Sequence, residues 1–182
     1  TLEVFKRHLA TRGGKTEQVI EVVSDMFTAF IDGVKAHFPN SSHTVDWFHV
    51  VQLFTKAIDE VRRAEAKETR LPKATRWATL KNADGPLTEK QIDALAELMS
   101  MDMQTSKAWR IKEMLRWVRK ATSMRAAQWR LTNFINVAVK LIADIDLLKP
   151  VRKALNTVND HRAAILARWV SGHNNARIEA LN

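Results

Sequence analysis

Two short runs rich in β-branched residues interrupt a chain whose apolar pattern is otherwise helical. Val19–Ser24 has the sequence Val-Ile-Glu-Val-Val-Ser, and His43–Asp46 has the sequence His-Thr-Val-Asp. Runs of this length and composition, bounded by turn residues such as Pro39-Asn40, are typical of mostly buried strands. Between them, the apolar residues of Met26–Phe38 recur at helical spacing. The order helix, strand, helix, strand therefore predicts an α/β sheet with parallel pairing.

The rest of the chain carries the period of helices. Leu2–Ala10 predicts an opening helix that stops at Gly13-Gly14, whose backbone freedom suits a helix end. Later helices are predicted over residues 88–101, 104–121, 123–145 and 150–169. Thr88 suits an N-cap, and Pro150 suits a first helical turn. A last short helix is predicted from about Asn175.

The net charge narrows the class of partner. Lysine and arginine total 29 against 20 acidic residues, which gives +9 at pH 7. A polyanionic partner, DNA or RNA, is the simplest explanation of that net charge. The alternative is a helical protein that is basic but binds no nucleic acid. The absence of cysteine excludes disulfides and thiolate metal sites and fits an intracellular compartment. No apolar run approaches the roughly 20 residues of a membrane span.

Each predicted strand ends in a carboxylate. Asp25 follows Val22-Val23-Ser24, and Asp46 ends the second run. Functional groups gather at the carboxyl ends of parallel strands, where a rigidly held carboxylate suits hard Mg²⁺ or Mn²⁺ ions. The structural alternative is that each aspartate simply caps the helix that follows it. Both interpretations stay open for both residues.

Asp46 and His49 lie three residues apart, and three interpretations fit them. They could form a metal-binding pair, an acid–base pair, or a capped helix start with His49 at the third helical position. An imidazole ligand favours a softer metal than magnesium, so His49 is not assigned to a Mg²⁺ site. Glu179 lies in the first turn of the last predicted helix. It either interacts with the helix dipole or supplies the last carboxylate of a metal site.

Basic side chains cluster along the predicted helices and are expected to contact DNA phosphates without reading sequence. The candidates are Arg62, Arg63, Lys107, Arg110, Arg116, Arg119, Lys120 and Arg177, with Lys112, Arg125 and Arg130 in the same runs. Tryptophans stand among them at positions 77, 109, 117, 129 and 169. Tryptophan is mostly buried, so a place in the helical core is expected, while base stacking by one of them stays open.

Several elements together resemble the bacterial insertion-sequence transposases of the ISL-three family. The most specific are the D-x-F-H-V-V-Q element at Asp46–Gln52 and the closing N-A-R-x-E-x-L-N element at Asn175–Asn182. Val22–Met26, Phe38–Asn40 and Val61–Arg63 add to them in the family's order. The resemblance runs over nearly the whole chain.

The resemblance implies a DDE transposase, an enzyme that cleaves and joins DNA strands, with Mg²⁺ or Mn²⁺ as cofactor. The second and third catalytic carboxylates would be Asp25 and Glu179, and Asp46 with His49 would form a supporting unit. The implied fold is α/β, a partial ribonuclease-H-like core with a large all-α insertion. The core would occupy residues 1–60, the helical insertion 61–170, and the returning core helix would start within 171–182.

Further expectations follow from that resemblance. The family's first catalytic aspartate has no counterpart before Asp25, because Glu3 and Glu17 fall in a helix and a turn. The chain is therefore expected to be a fragment, inactive alone, with the missing aspartate upstream. Transposon-end and target DNA are the expected partners, with a homo-oligomeric assembly, no membrane, and a cytoplasmic, nucleoid-associated location. The alternatives are a non-enzymatic basic helical nucleic-acid-binding module and, more weakly, a helical adaptor.

Overall fold

The computed structural model describes residues 2–81 and 85–171, and this part of the chain is predominantly helical. Its helices are α1 (Leu2–Thr11), α2 (Thr28–His37), α3 (Trp47–Glu65), α4 (Thr75–Leu80), α5 (Glu89–Ser100), α6 (Gln104–Arg119), α7 (Met124–Ile142), α8 (Lys149–Asp160) and α9 (Arg162–Ser171). Its strands are β1 (Glu21–Ser24) and β2 (Ser42–Val45). Among these helices, none combines the length and the apolarity needed to cross a membrane.

The chain divides into two compact units. The first runs up to Val50 and resumes at His161, whereas the second runs from Val51 to Asp160. The first unit therefore holds both strands with α1, α2 and α9. The second holds α4 to α8 and most of α3.

The first unit is built on a parallel strand pair. β1 and β2 pair in the register Glu21↔Ser42 to Ser24↔Val45, which confirms the predicted parallel sheet. The opening helix stops where predicted: Gly13 has φ +78°, and Gly14 N–H donates to the Leu9 carbonyl oxygen at 3.0 Å. This is the Schellman arrangement, in which glycine adopts the left-handed conformation after the last helical turn. Helix α1 packs on α2, and α9 packs on β2.

The second unit is a helical bundle with an apolar core. Helix α6 packs on α7, α7 on α8, and α4 on α5. Phe54 and Phe134 meet edge to face at 5.7 Å, and both are fully buried. The predicted cap of α5 is confirmed: Thr88 precedes the helix, and its backbone N–H donates to Gln91 Oε1 at 3.0 Å. Pro150 lies in the first turn of α8, as predicted.

The predicted single helix over residues 150–169 is wrong. Helix α8 ends at Asp160 and α9 starts at Arg162, with His161 in a turn between them. Neither glycine nor proline marks this break, so the helical pattern continues across it in the sequence. The short helix α4 was also not predicted. It begins after Ala74, which adopts a left-handed φ of 68° that sequence patterns seldom reveal in alanine.

The expected burial of the tryptophans is wrong for three of the five. Trp109 is buried and Trp169 is half-buried, but Trp77, Trp117 and Trp129 are 57%, 39% and 62% exposed. Guanidinium groups lie over two of the exposed rings: that of Arg76 over Trp77 at 5.0 Å, and that of Arg130 over Trp117 at 5.2 Å. Cation–π contact of this kind stabilises an aromatic ring at a surface without burying it in a core.

Candidate active site

Asp25 and Asp46 lie at the same edge of the strand pair. β1 ends at Ser24 and β2 at Val45, which are register partners, and each aspartate is the next residue. The Asp46 N–H donates to the Ser24 carbonyl oxygen at 2.9 Å, which extends the ladder by one bond. The structure therefore places both residues at the carboxyl ends of adjacent parallel strands, the position where α/β sheets gather functional groups.

Both aspartates accept a backbone N–H group just after the strand edge, but only Asp46 caps the helix that follows it. Asp25 Oδ1 accepts the Phe27 N–H at 3.1 Å, and Asp46 Oδ1 accepts the Phe48 N–H at 3.1 Å. The Asp46 bond is that of an N-cap, because the first N–H groups of a helix have no partner within it. The Asp25 bond closes an Asx turn ahead of α2, whose N-cap is Phe27, so Asp25 does not cap that helix. A carboxylate has two oxygens and about four acceptor positions, so one such bond does not exclude metal binding.

His49 meets Asp46 through the backbone. The His49 N–H donates to the Asp46 carbonyl oxygen at 3.1 Å, and the half-buried imidazole lies edge to face with Phe48 at 5.4 Å. The Asp46 side chain is almost fully buried, with 7% of the residue exposed. These contacts describe a tightly packed helix start next to the strand edge.

A serine–histidine pair that sequence reasoning missed lies beside Asp25. The buried Ser24 Oγ is 2.8 Å from His43 Nε2 and donates its proton to the Asp25 carbonyl oxygen at 2.9 Å. A hydroxyl has one proton, so His43 Nε2 is the donor in their mutual bond. The two residues lie 19 positions apart, and only the strand pairing brings them together.

The surroundings of the His43 imidazole disfavour its protonated form. Burial lowers its pKa from the ordinary 6.5, and the nearby His161 lowers it further, while Asp25 has a smaller, opposite effect. His161 thus belongs to the surroundings of the strand edge, although its spacing in the sequence suggested no role.

Glu21 connects the last described helix to the sheet. Its Oε1 accepts the Ser171 hydroxyl at 2.6 Å, and the Thr44 hydroxyl donates to the same oxygen. Trp169 meets Trp47 edge to face at 5.8 Å. Helix α9 is therefore anchored to both strands and to the start of α3. Glu179 and Arg177, which sequence analysis selected beyond this helix, lie outside the described residues.

Oxygen donors suited to a divalent metal are present, but the described residues do not complete a site. In residues 2–81 and 85–171, no group of three or more histidine, aspartate or glutamate side chains is placed to hold a metal ion. Asp25 supplies a half-buried carboxylate at a rigid strand end, which fits the chemistry of Mg²⁺ or Mn²⁺. A complete site at this edge would need another carboxylate.

The predicted DNA-contacting side chains divide by their surroundings. Arg62 and Arg63 pair with Asp59 at 2.7 and 2.9 Å, Lys107 with Asp102 at 3.1 Å, and Arg116 with Glu113 at 3.0 Å. Arg110 donates to the Met99 carbonyl oxygen at 3.2 Å. Arg119 and Lys120 are exposed at the end of α6. A cation already paired with a carboxylate gains less from a phosphate, so Arg119 and Lys120 are the stronger candidates.

Lys112 lies inside the helical unit and does not face solvent. It is 2% exposed, and its Nζ donates to the carbonyl oxygens of Thr79 and Lys81 at 3.0 and 2.8 Å. Burial lowers the pKa of its ammonium group, and Glu113 opposes that effect. Lys112 therefore ties α6 to the end of α4 and has no surface available to a phosphate.

A known protein family matches the whole sequence, including the strand-end residues described above. The sequence model of the ISL3-type DDE transposases, described as "Transposase", matches residues 1–182. The chain belongs to the ISL-three transposase family. The resemblance of the strand-end and closing elements to this family is thereby confirmed.

A curated relative is also a transposase. The chain is 33% identical over 94 residues to the transposase for insertion sequence element IS1001 of Bordetella parapertussis. That match covers 47% of this chain and 23% of the relative, so it spans about a quarter of that transposase. No solved structure matches the chain.

Proposed function

We propose that this chain forms part of the catalytic core of a DDE transposase that cleaves DNA strands and joins them to a target. Membership of the ISL-three family supports a transposase. The observation that carries the catalytic part is the position of Asp25 and Asp46 at the carboxyl ends of two paired parallel strands. Asp25 and Glu179 are proposed as the second and third catalytic carboxylates.

The proposed fold is a partial ribonuclease-H-like core interrupted by a helical insertion. The core would comprise residues 1–60, with the insertion at 61–170 and the returning helix starting within 171–182. The parallel pair with its flanking α1 and α2 supports the core part. The packing of α9 on β2 supports a core that resumes after a helical excursion, but already near His161, earlier in the chain than the proposed boundary. Helix α3 would lead from one part into the other.

Asp25 and Glu179 would hold the divalent ions of the complete enzyme. Two Mg²⁺ or Mn²⁺ ions, when bound, activate the attacking oxygen and stabilise the leaving oxygen of a phosphoryl transfer. The two carboxylates would neutralise and position that charge, and Asp46 with His49 would form a supporting unit at the start of α3. Glu179 lies eight residues beyond the anchored Ser171, a stretch that spans up to about 28 Å. A four-residue strand is only about 13 Å long, so the strand edge is within reach.

The proposed partners are transposon-end and target DNA, reached in the bacterial cytoplasm at the nucleoid. Exposed cations at the end of α6 support contact with phosphates. A homo-oligomer is proposed for the working assembly. Large apolar side chains on the first unit support it, since Ile20, Phe27 and Val170 are 75%, 67% and 74% exposed.

The test is strand cleavage by the complete transposase that contains this chain. Asp25→Asn and Glu179→Gln should each reduce Mn²⁺-dependent cleavage of a substrate carrying the element's ends by at least about 10³-fold, because metal charge is lost at the reacting phosphate. Binding of the same DNA should persist. Asp32→Asn is the matched control, since Asp32 is an exposed carboxylate on α2 and should leave cleavage unchanged. Undiminished cleavage in both active-site variants would contradict the proposal.

A non-enzymatic nucleic-acid-binding module is the second candidate, and the structural bonds of the two aspartates favour it: Asp46 caps α3, and Asp25 closes an Asx turn before α2. Asp25→Asn separates the two functions, because asparagine closes the same Asx turn but lacks the charge that binds Mg²⁺ and Mn²⁺. A catalytic Asp25 predicts a stable variant that has lost cleavage and has weaker Mn²⁺ binding by calorimetry. An Asp25 that only closes the turn predicts a variant that is unchanged in both measurements.

A further inference from the structure

Two exposed tryptophans meet where α6 turns into α7. Trp117 lies in the last turn of α6 and Trp129 in the second turn of α7. Their ring centroids are 5.4 Å apart at an interplanar angle of 68°. The Arg130 guanidinium lies 5.2 Å from the Trp117 ring, and its Nη1 donates to the Trp117 carbonyl oxygen at 2.8 Å. We call Trp117, Trp129 and Arg130 the aromatic surface.

A purely structural role explains the position of Trp117 in this surface but not the exposure of Trp129. Arg130 and Trp129 brace the end of α6 against α7, which accounts for the position of the Trp117 ring. Trp129 itself remains 62% exposed, and no cation–π contact to its ring is found among the described residues. Two large aromatic rings that are exposed side by side are typical of a surface that binds a ligand.

The charge around the aromatic surface indicates what that ligand is. Residues 114–143 contain no aspartate or glutamate and six cations, which are Arg116, Arg119, Lys120, Arg125, Arg130 and Lys140. Arg119, Lys120 and Arg125 are exposed next to the α6–α7 turn. A second copy of the chain at this surface would bring cations against cations. A polyanion with aromatic groups, such as a nucleic-acid strand, matches both the charge and the rings.

We propose that the aromatic surface binds unpaired bases of a DNA strand. Bases within a duplex are stacked on one another and do not offer their faces, whereas unpaired bases stack on exposed aromatic and guanidinium planes. The Trp129 ring would take a base face, and Arg119 and Lys120 would contact the adjoining phosphates. The proposal deepens the proposed function and rests on it, since strand cleavage leaves DNA ends whose terminal bases unpair easily.

The test compares single-stranded and duplex DNA on the full chain by fluorescence anisotropy. A labelled thymidine oligonucleotide of about 20 nucleotides and a duplex of the same length serve as probes at one salt concentration. Trp129→Ala should weaken binding of the single strand by about tenfold, as loss of one stacking contact does, and change duplex binding by less than about twofold. Arg130→Lys, which keeps the charge but loses the plane, should weaken single-strand binding in the same direction.

The matched control is Trp77→Ala, which removes a tryptophan of similar exposure, 57%, outside the acid-free segment. It should leave both affinities unchanged. Single-strand affinity that Trp129→Ala does not change, or an equal loss for both probes, would overturn the proposal. A lower oligomeric mass of Trp129→Ala than of the unaltered chain, measured without DNA, would also overturn it, because the surface would then be one of self-association. Cleavage by the Asp25 variants tests the proposed function separately, so a failure of the aromatic surface can be distinguished from a failure of the proposed function.

Discussion

At the scale of single residues, Asp46 shows how a site residue can also be structural. It directly follows β2, where its N–H donates to the Ser24 carbonyl oxygen, and it caps α3 with one carboxylate oxygen. Asp46→Ala should lower the free energy of unfolding by about 1 kcal/mol, because the Phe48 N–H loses its acceptor near the helix start. Urea unfolding measures this change.

Asp46→Asn is the control, since the amide oxygen retains the capping bond and only the charge is lost. It should unfold within about 0.5 kcal/mol of the unaltered protein, as asparagine and aspartate cap equally well. A loss as large as that of Asp46→Ala would show that the charge of the buried carboxylate, and not the cap, stabilises this edge.

His43 should make the first unit sensitive to acid. Its folded pKa lies below the ordinary 6.5, chiefly through burial, so the unfolded chain binds a proton at a pH where the folded chain does not. Stability is therefore fully present above about pH 6.5 and falls as the pH drops through the folded pKa. Besides His43, the charged groups that act on this ring are His161, Asp25 and Lys35.

His43→Gln should remove much of that acid sensitivity, because glutamine keeps a hydrogen-bonding group and does not titrate. Urea unfolding between pH 7.5 and 5 should give a flatter dependence than in the unaltered protein. His8→Gln, which replaces an exposed histidine of α1, should leave the dependence as it was. An equally steep fall in His43→Gln would assign the effect to other groups.

At the scale of elements, Glu65 forms a helix cap across a long stretch of chain. Its two carboxylate oxygens accept the N–H groups of Gln104 and Thr105 at 2.6 and 2.9 Å, at the start of α6. Glu65 is 6% exposed, and the helix dipole favours its negative charge. Glu65→Ala should lower the free energy of unfolding by about 2–3 kcal/mol, because two N–H groups near the helix start, at least one of them buried, lose a charged acceptor.

Glu68→Ala is the control for that prediction, since Glu68 is an exposed acid three residues further on. It should change stability by less than about 0.5 kcal/mol. Comparable losses in the two variants, measured by the same urea unfolding, would mean that the end of α3, and not the cap of α6, had been disturbed.

These elements also show what the sequence could and could not predict. Local signals worked: β-branched runs predicted both strands, Gly13-Gly14 the end of α1, and Thr88 the start of α5. Contacts between distant segments had no such signal. Glu65 caps a helix 39 residues away, and Ser171 binds Glu21 across 150 residues. The type of a side chain does not reveal its hydrogen-bond partner when the two residues are distant in sequence and only folding brings them together.

At the scale of the whole molecule, the same limit applies to the basic side chains. Composition indicated a polyanionic partner, but it could not distinguish Arg62, paired with Asp59, from Arg119 and Lys120, exposed at the end of α6. The clustering of basic residues in the sequence also grouped Lys112, which is buried, with the expected phosphate contacts. Which cations are available depends on intramolecular pairing and burial, and the structure supplies both.

That distinction predicts how DNA binding should depend on salt. Each phosphate contact adds about 0.9 to the negative slope of log affinity against log salt, so Arg119→Ala with Lys120→Ala should reduce the slope by about 1.8. Arg62→Ala should leave the slope nearly unchanged, because that guanidinium is occupied by Asp59 and only 18% exposed. Duplex binding measured from low to physiological salt tests both. If Arg62→Ala reduces the slope and the double variant does not, then pairing with a carboxylate does not prevent a cation from contacting DNA, and the distinction is wrong.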